Sequence, residues 1–298
     1  MVFRRLGVFA DDFSLEASER IVADDLIDEL DVIDIVTALV DKSMVSTELG
    51  DDGTTRYHLL ETIREFARRR LDLENERQTI EGRHAAYFAE VAEESQAMQR
   101  QDNLAGALAN LDLEESSFRS ALRFTLDEDE AVLAARLIGG LGYLWYASGQ
   151  HREGLQWCSE LFESDPELPD LVRAGALHSY ASLLGSMGHP KRGIAVLREQ
   201  VEIRRRLGDP LRLGAALNNL ADLLSDVGEF GTAEPCLTEA VELFREAGIS
   251  PSMPLSTLGA GYRHDGRHEE ATQALREALR EAKQADNAYS IAISMAGL

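Results

Sequence analysis

The chain has 298 residues, of which 44% are hydrophobic, so it is long enough for two domains and too apolar to be disordered. With 53 acidic and 30 basic residues it carries a formal charge of −23, a field that repels nucleic-acid phosphates and anionic lipid. No apolar run reaches the ~18 residues of a membrane span. The opening residues are too short and too soon acidic for a secretory signal, so a cytoplasmic chain is expected.

The first 75 residues change character several times. Residues 3–9 (Phe-Arg-Arg-Leu-Gly-Val-Phe) read as a short apolar helix. Ser14 is placed to cap a second helix over 15–23. A third helix is expected over 31–40, with Ile33, Val36, Ala38, Leu39 and Val40 as its apolar face. Residues 44–47 then alternate, Gly50-Asp51-Asp52-Gly53 is a turn cluster, and 55–59 alternate again, which predicts a β-hairpin. A helix over 60–71 follows. Three helices, a hairpin and a helix predict a winged-helix domain over residues 1–75.

Residues 76–130 keep helical spacing through Tyr87, Phe88, Val91, Leu104, Leu108, Leu111, Phe118 and Leu122. They predict a bridge of two or three helices.

From residue 131 to 298 the chain repeats itself. Gly149, Gly188, Gly228 and Gly266 recur at intervals of 39, 40 and 38 residues. Eleven residues before each stands Ile138, Leu177, Leu217 or Leu255, and eight before stands Leu141, Tyr180, Leu220 or Leu258. Seven before is always small (Gly142, Ala181, Ala221, Gly259), and four before is large (Trp145, Leu184, Leu224, Tyr262). Five after is small again: Gly154, Gly193, Ala233, Ala271. Large, large, small, large, glycine, small is the tetratricopeptide (TPR) pattern, two antiparallel helices packed through a small-residue contact. These repeats exceed the usual ~34 residues, which predicts an extra turn per pair. Four repeats and a truncated fifth, beginning near 287, are expected. The fold class is therefore mainly α, a winged helix with a small β-hairpin followed by a TPR-like α-solenoid.

Several stretches in the first 125 residues are more specific than a fold. Phe3-Arg4-Arg5-Leu6-Gly7-Val8-Phe9, Phe13-Ser14-Leu15-Glu16-Ala17, Leu39-Val40-Asp41-Lys42-Ser43 and Tyr57-His58-Leu59-Leu60-Glu61-Thr62-Ile63-Arg64-Glu65-Phe66-Ala67 occur in that order, followed by Arg83-His84-Ala85-Ala86-Tyr87-Phe88 and Ser117-Phe118-Arg119-Ser120-Ala121-Leu122. This set resembles the region that follows the nucleotide-binding domain in bacterial STAND-type ATPases (signal-transduction ATPases with numerous domains), many of them regulators of the LuxR or SARP type. The resemblance implies an ATPase domain ahead of the winged helix and repeats that sense an inducer or partner. No Gly-x-x-x-x-Gly-Lys-Ser/Thr occurs in these residues, so ATP or ADP is expected only through an absent or separate domain, and no cofactor is expected in this chain. In that family a histidine opening the last helix of the winged helix reaches the ADP β-phosphate. His58 matches it, whereas the acidic residue that often follows the histidine is here Leu59. An imidazole suits this role because it donates a hydrogen bond and gains charge near neutrality. The plainer reading is a histidine packed on its own domain.

Ligand contacts in the repeats are expected on the first helices. Asn218, Asn219 and Asp222 lead the candidates, with His178, Ser182 and Arg263 beside them; Ser179, Ser225, Ser256, Thr257 and His264 face the same way. An amide offers both donor and acceptor to an extended peptide backbone, although such residues also occur simply as exposed polar groups. Tyr143, Trp145, Tyr146 and Trp157 form an aromatic group best read as core.

Other chemistry finds little support. The seven histidines have no paired ligand spacing, so no metal is expected, and Cys158 and Cys236 read as buried small hydrophobes without a disulfide. Glu114-Glu115, residues 127–130 and Glu269-Glu270 read as surface or helix-start acids. DNA reading is disfavoured, because residues 21–52 hold ten acids and one lysine. The arginines at 64, 68, 69 and 70 read as a salt-bridged face. The expected function is a non-enzymatic, regulatory and sensor segment of a STAND-type signalling or transcription-regulating ATPase. It would bind a protein, peptide or small-molecule effector through its repeats, with a nucleotide-binding domain as a second partner and neither nucleic acid nor membrane bound directly. The alternative is a free-standing TPR adaptor.

Overall fold

The computed structural model describes residues 1–50, 53–100, 103–285 and 288–297. The chain divides into two compact units, one comprising Met1–Leu144 with Glu160–Glu167 and the other Trp145–Ser159 with Leu168–Leu298. Helices α8 (Ala131–Ser148) and α9 (His151–Glu163) run through both.

The first unit begins with α1 (Val2–Arg5), shorter than the sequence suggests because Leu6–Val8 tighten into a 3₁₀ turn. Gly7 allows this. An added Cβ there would lie 2.9 Å from the Arg68 backbone nitrogen. Helix α2 (Leu15–Val22) starts as expected, the Ser14 hydroxyl accepting from the Ala17 amide at 3.0 Å. Helix α3 (Glu29–Asp41) starts two residues before its expected first turn, because Asp28 caps it by accepting from the Leu30 amide. Strands β1 (Val45–Leu49) and β2 (Thr55–Leu59) pair antiparallel with Val45 opposite Leu59, both buried. Phe13 adds a bridge to Tyr57 on the other side of β2. Asp51 and Asp52 of the expected turn lie outside the described residues, as do Asn287 and Leu298 of the expected last helix. Helix α4 (Glu61–Leu73) completes the winged helix.

The bridge is three helices: α5 (Arg77–Arg100), α6 (Leu104–Leu113) and α7 (Glu115–Asp127). The core of this unit is aromatic, with Phe9 stacked on Phe13 at 4.4 Å and Phe88 edge-on to Phe118 at 5.7 Å. His84 sits fully buried between Phe9 and Phe88, and burial lowers its pKa to about 3, so it is a neutral core side chain.

The second unit is a run of helical hairpins: α10 (Asp170–Ser186) with α11 (Pro190–Leu207), α12 (Pro210–Asp226) with α13 (Phe230–Glu246), α14 (Ser252–His264) with α15 (His268–Gln284), and then α16 (Ala288–Gly297). The landmark positions are core: Leu177, Leu184, Ala181, Leu217, Leu220, Ala221 and Leu224 are all buried. The four landmark glycines take φ of +80°, +79°, +81° and +77°, with open space where a Cβ would stand, so they are there for conformation. Gly208 and Gly248 do the same after α11 and α13, both at +69°. From Gly188 to Gly248 a left-handed glycine therefore falls every 20 residues, closing second helices as well as first. That accounts for the long repeat, in which α10 through α13 are each 17 or 18 residues.

Candidate functional site

In the second unit, α10, α12, α14 and α16 form a row of first helices, with α12 touching α14 and α14 touching α16. In solenoids of this type stacking repeats create an extended binding surface. Asn218, Asp222 and Ser225 stand at i, i+4 and i+7 on α12 and so share one face. Asn218 is buried, and its Oδ1 has no hydrogen-bond partner; Ser179 Oγ, buried on α10, is in the same condition. Asn219 reaches back to α10, its Nδ2 lying 3.4 Å from His178 Nδ1. Asp222 is open to solvent, yet the protein around it, and secondarily Asp226, raises its pKa, and no basic group offsets this.

The hydroxyls behave differently from the amides. Ser182 donates to the His178 carbonyl at 2.9 Å, Ser225 to Ala221 at 2.8 Å and Thr257 to Met253 at 3.3 Å. Each returns its proton to its own helix, leaving oxygen lone pairs to offer. Ser256 is buried and lies 2.9 Å from Ser294 Oγ, so it joins α14 to α16. Arg263 is exposed and donates to the Gly297 carbonyl at 3.1 Å, and His264 beside it is exposed. The structure thus groups Asn218, Asn219, Asp222, His178 and Ser182 on neighbouring α10 and α12, and places Arg263 on α14.

His58 belongs to the first unit. It lies half-buried on β2, opposite Ser46, three residues before α4. Its neighbour Arg56 carries the chemistry that the sequence analysis missed. Arg56 is buried and donates to Asp12 at 2.6 Å and to Glu114 at 2.5 Å, fastening the hairpin to the start of α7. Glu114 is therefore a helix-start acid, at the N-cap of α7, and not a surface one. Its side chain is mostly buried, burial raises its pKa and Arg56 works against that rise. Arg5 is also buried and bonds the Val22 carbonyl at 2.7 Å, Asp24 at 2.6 Å and Glu76 at 3.0 Å. The arginines of α4 are engaged too: Arg64 with Glu61 and the Ala10 carbonyl, Arg68 with the Gly7 carbonyl, Arg69 with Glu65 and Arg70 with Glu74.

The aromatic group does not hold together as one core cluster. Trp145 is buried, with Gly154 leaving room for its ring, while Tyr143 and Tyr146 are among the exposed large residues. Tyr146 stacks on His151 at 5.2 Å. Cys158 is buried as expected, whereas Cys236 is only half-buried, its thiol turned to the Thr232 carbonyl.

Comparisons with known proteins now bear on these surfaces. Residues 1–72 match a winged helix-turn-helix domain family and residues 213–247 a tetratricopeptide repeat family. The chain is winged helix first, tetratricopeptide repeats after. It is 30% identical over 255 residues to proteins of Mycobacterium tuberculosis and Mycobacterium bovis named as HTH-type transcriptional regulators. The match takes in 82% of this chain and 28% of theirs, so the chain spans little more than a quarter of the curated relatives it matches. Among solved structures, a STAND protein with a tetratricopeptide repeat sensor from Pyrococcus horikoshii aligns over 99% of this chain and 52% of its own, with a TM-score of 0.50 and 14% identity. A Rap protein complexed with competence and sporulation factor aligns over 78% of this chain and 66% of its own, with a TM-score of 0.54 and 16% identity. At such identities the likeness is one of fold. No helix among the described residues is long and apolar enough to cross a membrane.

Proposed function

We propose that this chain is the sensor portion of a STAND-type transcriptional or signalling regulator, its first-helix row taking up a peptide or a segment of a partner protein. The observation that carries the reading is the polar face of α10 and α12. Asn219 and His178 present amide and imidazole groups there, and Asp222 is a carboxylate without a cation. Amide, imidazole and carboxylate groups on a helical row suit an extended main chain, which presents one donor and one acceptor per residue. The homology to HTH-type regulators and the fold likeness to a STAND protein support the regulatory setting.

In this reading the nucleotide belongs to an ATPase domain outside the 298 residues. His58 would supply one hydrogen bond to its phosphate, and the half-buried place of His58 next to α4 is compatible with that. Arg56 would hold the hairpin while the contact is made.

The test is a selection from a displayed library of extended peptides against the purified chain. Selected peptides are expected to bind Asn219→Ala/Asp222→Ala at least tenfold more weakly, a loss of about 1.4 kcal/mol. Full affinity in that double variant would remove the site from α12. For the nucleotide contact, the chain is mixed with a cognate ATPase domain loaded with ADP. Equal ADP retention with His58→Ala would eliminate the switch role.

A further inference from the structure

In a winged helix, the third helix is the element offered to a partner's groove, and here α3 offers an unusual face. Among the exposed positions of α3, Leu30, Asp31, Asp34, Ile35, Ala38 and Asp41 share one side of the helix. Val32, Val36 and Leu39 on the opposite side are buried and anchor the helix. Leu30 is 72% exposed, and Leu26, in the turn just before α3, is 77% exposed. Ile35 adds a third open aliphatic group. Single exposed leucines are ordinary, but several on one helix and its leading turn make an unfilled apolar strip.

The strip is bordered by carboxylates with no compensating charge. Asp25, Asp31, Asp34 and Asp41 form no ion pair among the described residues, although the Arg64, Arg69 and Arg70 side chains of α4 are paired. Glu29 opens the helix; burial, with Glu29 and Glu16 adding to it, raises the pKa of Glu19 on α2. Asp28 is spent on capping the helix. The basic residue between 21 and 52 is Lys42, after the last turn of α3.

We infer that α3 and its leading turn form a docking face for a basic amphipathic helix of a partner protein. The partner's aliphatic side chains would cover Leu26, Leu30 and Ile35, and its lysines or arginines would meet Asp31, Asp34 and Asp41. Charge complementarity decides the occupant. A duplex would bring phosphates to these carboxylates, and an acidic or neutral helix would leave the aspartates unpaired. This goes beyond the sensor reading, since it concerns the first unit and stands or falls without the first-helix row.

The probe is a fluorescein-labelled helical peptide with leucines on one face and lysines on the other, titrated with the whole chain and followed by anisotropy. Leu26→Ser/Leu30→Ser and Asp31→Asn/Asp34→Asn/Asp41→Asn are each expected to weaken binding about tenfold or more, and added salt to weaken the wild type but hardly the triple variant. Leu171→Ser, an equally open leucine of the second unit, is expected to change nothing. All these positions are exposed, so circular dichroism should show unchanged folds. Equal affinity in the two α3 variants overturns the inference. So does a labelled duplex that binds the chain and is displaced by Leu26→Ser/Leu30→Ser. Self-association abolished by that variant would assign the strip to a second copy, and would overturn it as well.

Discussion

Each of the two units of this chain has its own kind of internal bond. In the first, elements far apart in sequence are fastened by a few buried arginines: Arg5 gathers α1, the end of α2 and the start of α5, and Arg56 gathers the hairpin, Asp12 and α7. In the second, neighbouring helices meet through small residues, and ion pairs such as Arg205 with Glu239 and Arg245 with Glu277 lie at the surface. Buried charge links are few and each is expensive to lose, whereas small-residue contacts repeat and each carries a share. The winged helix should therefore fail by single breakages and the repeats by degrees.

The sharpest way to break the comparison is Arg56→Ala. It strands Glu114 in a mostly buried place, and should cost about 3 kcal/mol in urea unfolding of the first unit. A cost below 1 kcal/mol would mean that the hairpin is held by packing alone, as the repeats are.

Acid offers a second route to the same unit. The hydrogen bond from Arg4, opposed by burial and joined by Arg5, lowers the pKa of Glu76 from 4.5 to about 2. A carboxylate depressed in the fold contributes stability that is present above its unfolded pKa and lost as pH falls through the folded one. Stability of the first unit should therefore decline between about pH 4.5 and pH 2, and Glu76→Gln should flatten that decline. An unchanged acid limb in the variant would assign the loss to other groups.

In the second unit, Gly261→Ala puts a Cβ 1.9 Å from a Phe230 ring carbon and should cost about 2 kcal/mol by overpacking. Gly228→Ala meets no neighbour but must hold φ near +81°, for about 1 kcal/mol. A larger cost for Gly228 than for Gly261 in thermal unfolding would show that turn conformation, rather than helix contact, limits the repeats. The smallest effect is reserved for Arg205→Ala. Its pair with Glu239 is largely exposed, and about 0.5 kcal/mol or less is expected, shrinking further in salt.

The same contrast governs what could be read from the sequence. The repeats were legible because their contacts are local and periodic. Leu217, Leu220, Ala221 and Leu224 fall at fixed distances from Gly228, and all four are core. Arg56 was not legible, for the opposite reason. Its acceptors Asp12 and Glu114 lie 44 and 58 residues away, and no period marks an arginine on a strand as buried. Tyr143 and Tyr146 were misjudged by neighbourhood. They flank the landmark Trp145, yet one or two residues on a helix turn a side chain by more than a quarter to more than half of a revolution. Of the candidate face, the spacing of Asn218 and Asp222 was visible in the sequence. The approach of Asn219 to His178, 41 residues apart, was not.

The even tread of glycines from Gly188 to Gly248 has a consequence for the history of the chain. Because each helix stops at a residue free to turn left-handed, successive hairpins are nearly the same length, and each meets chiefly its neighbours. A genetic duplication or deletion of one 40-residue module would leave the flanking ones in register. Such a gene can lengthen or shorten its run of helical hairpins without redesigning the rest.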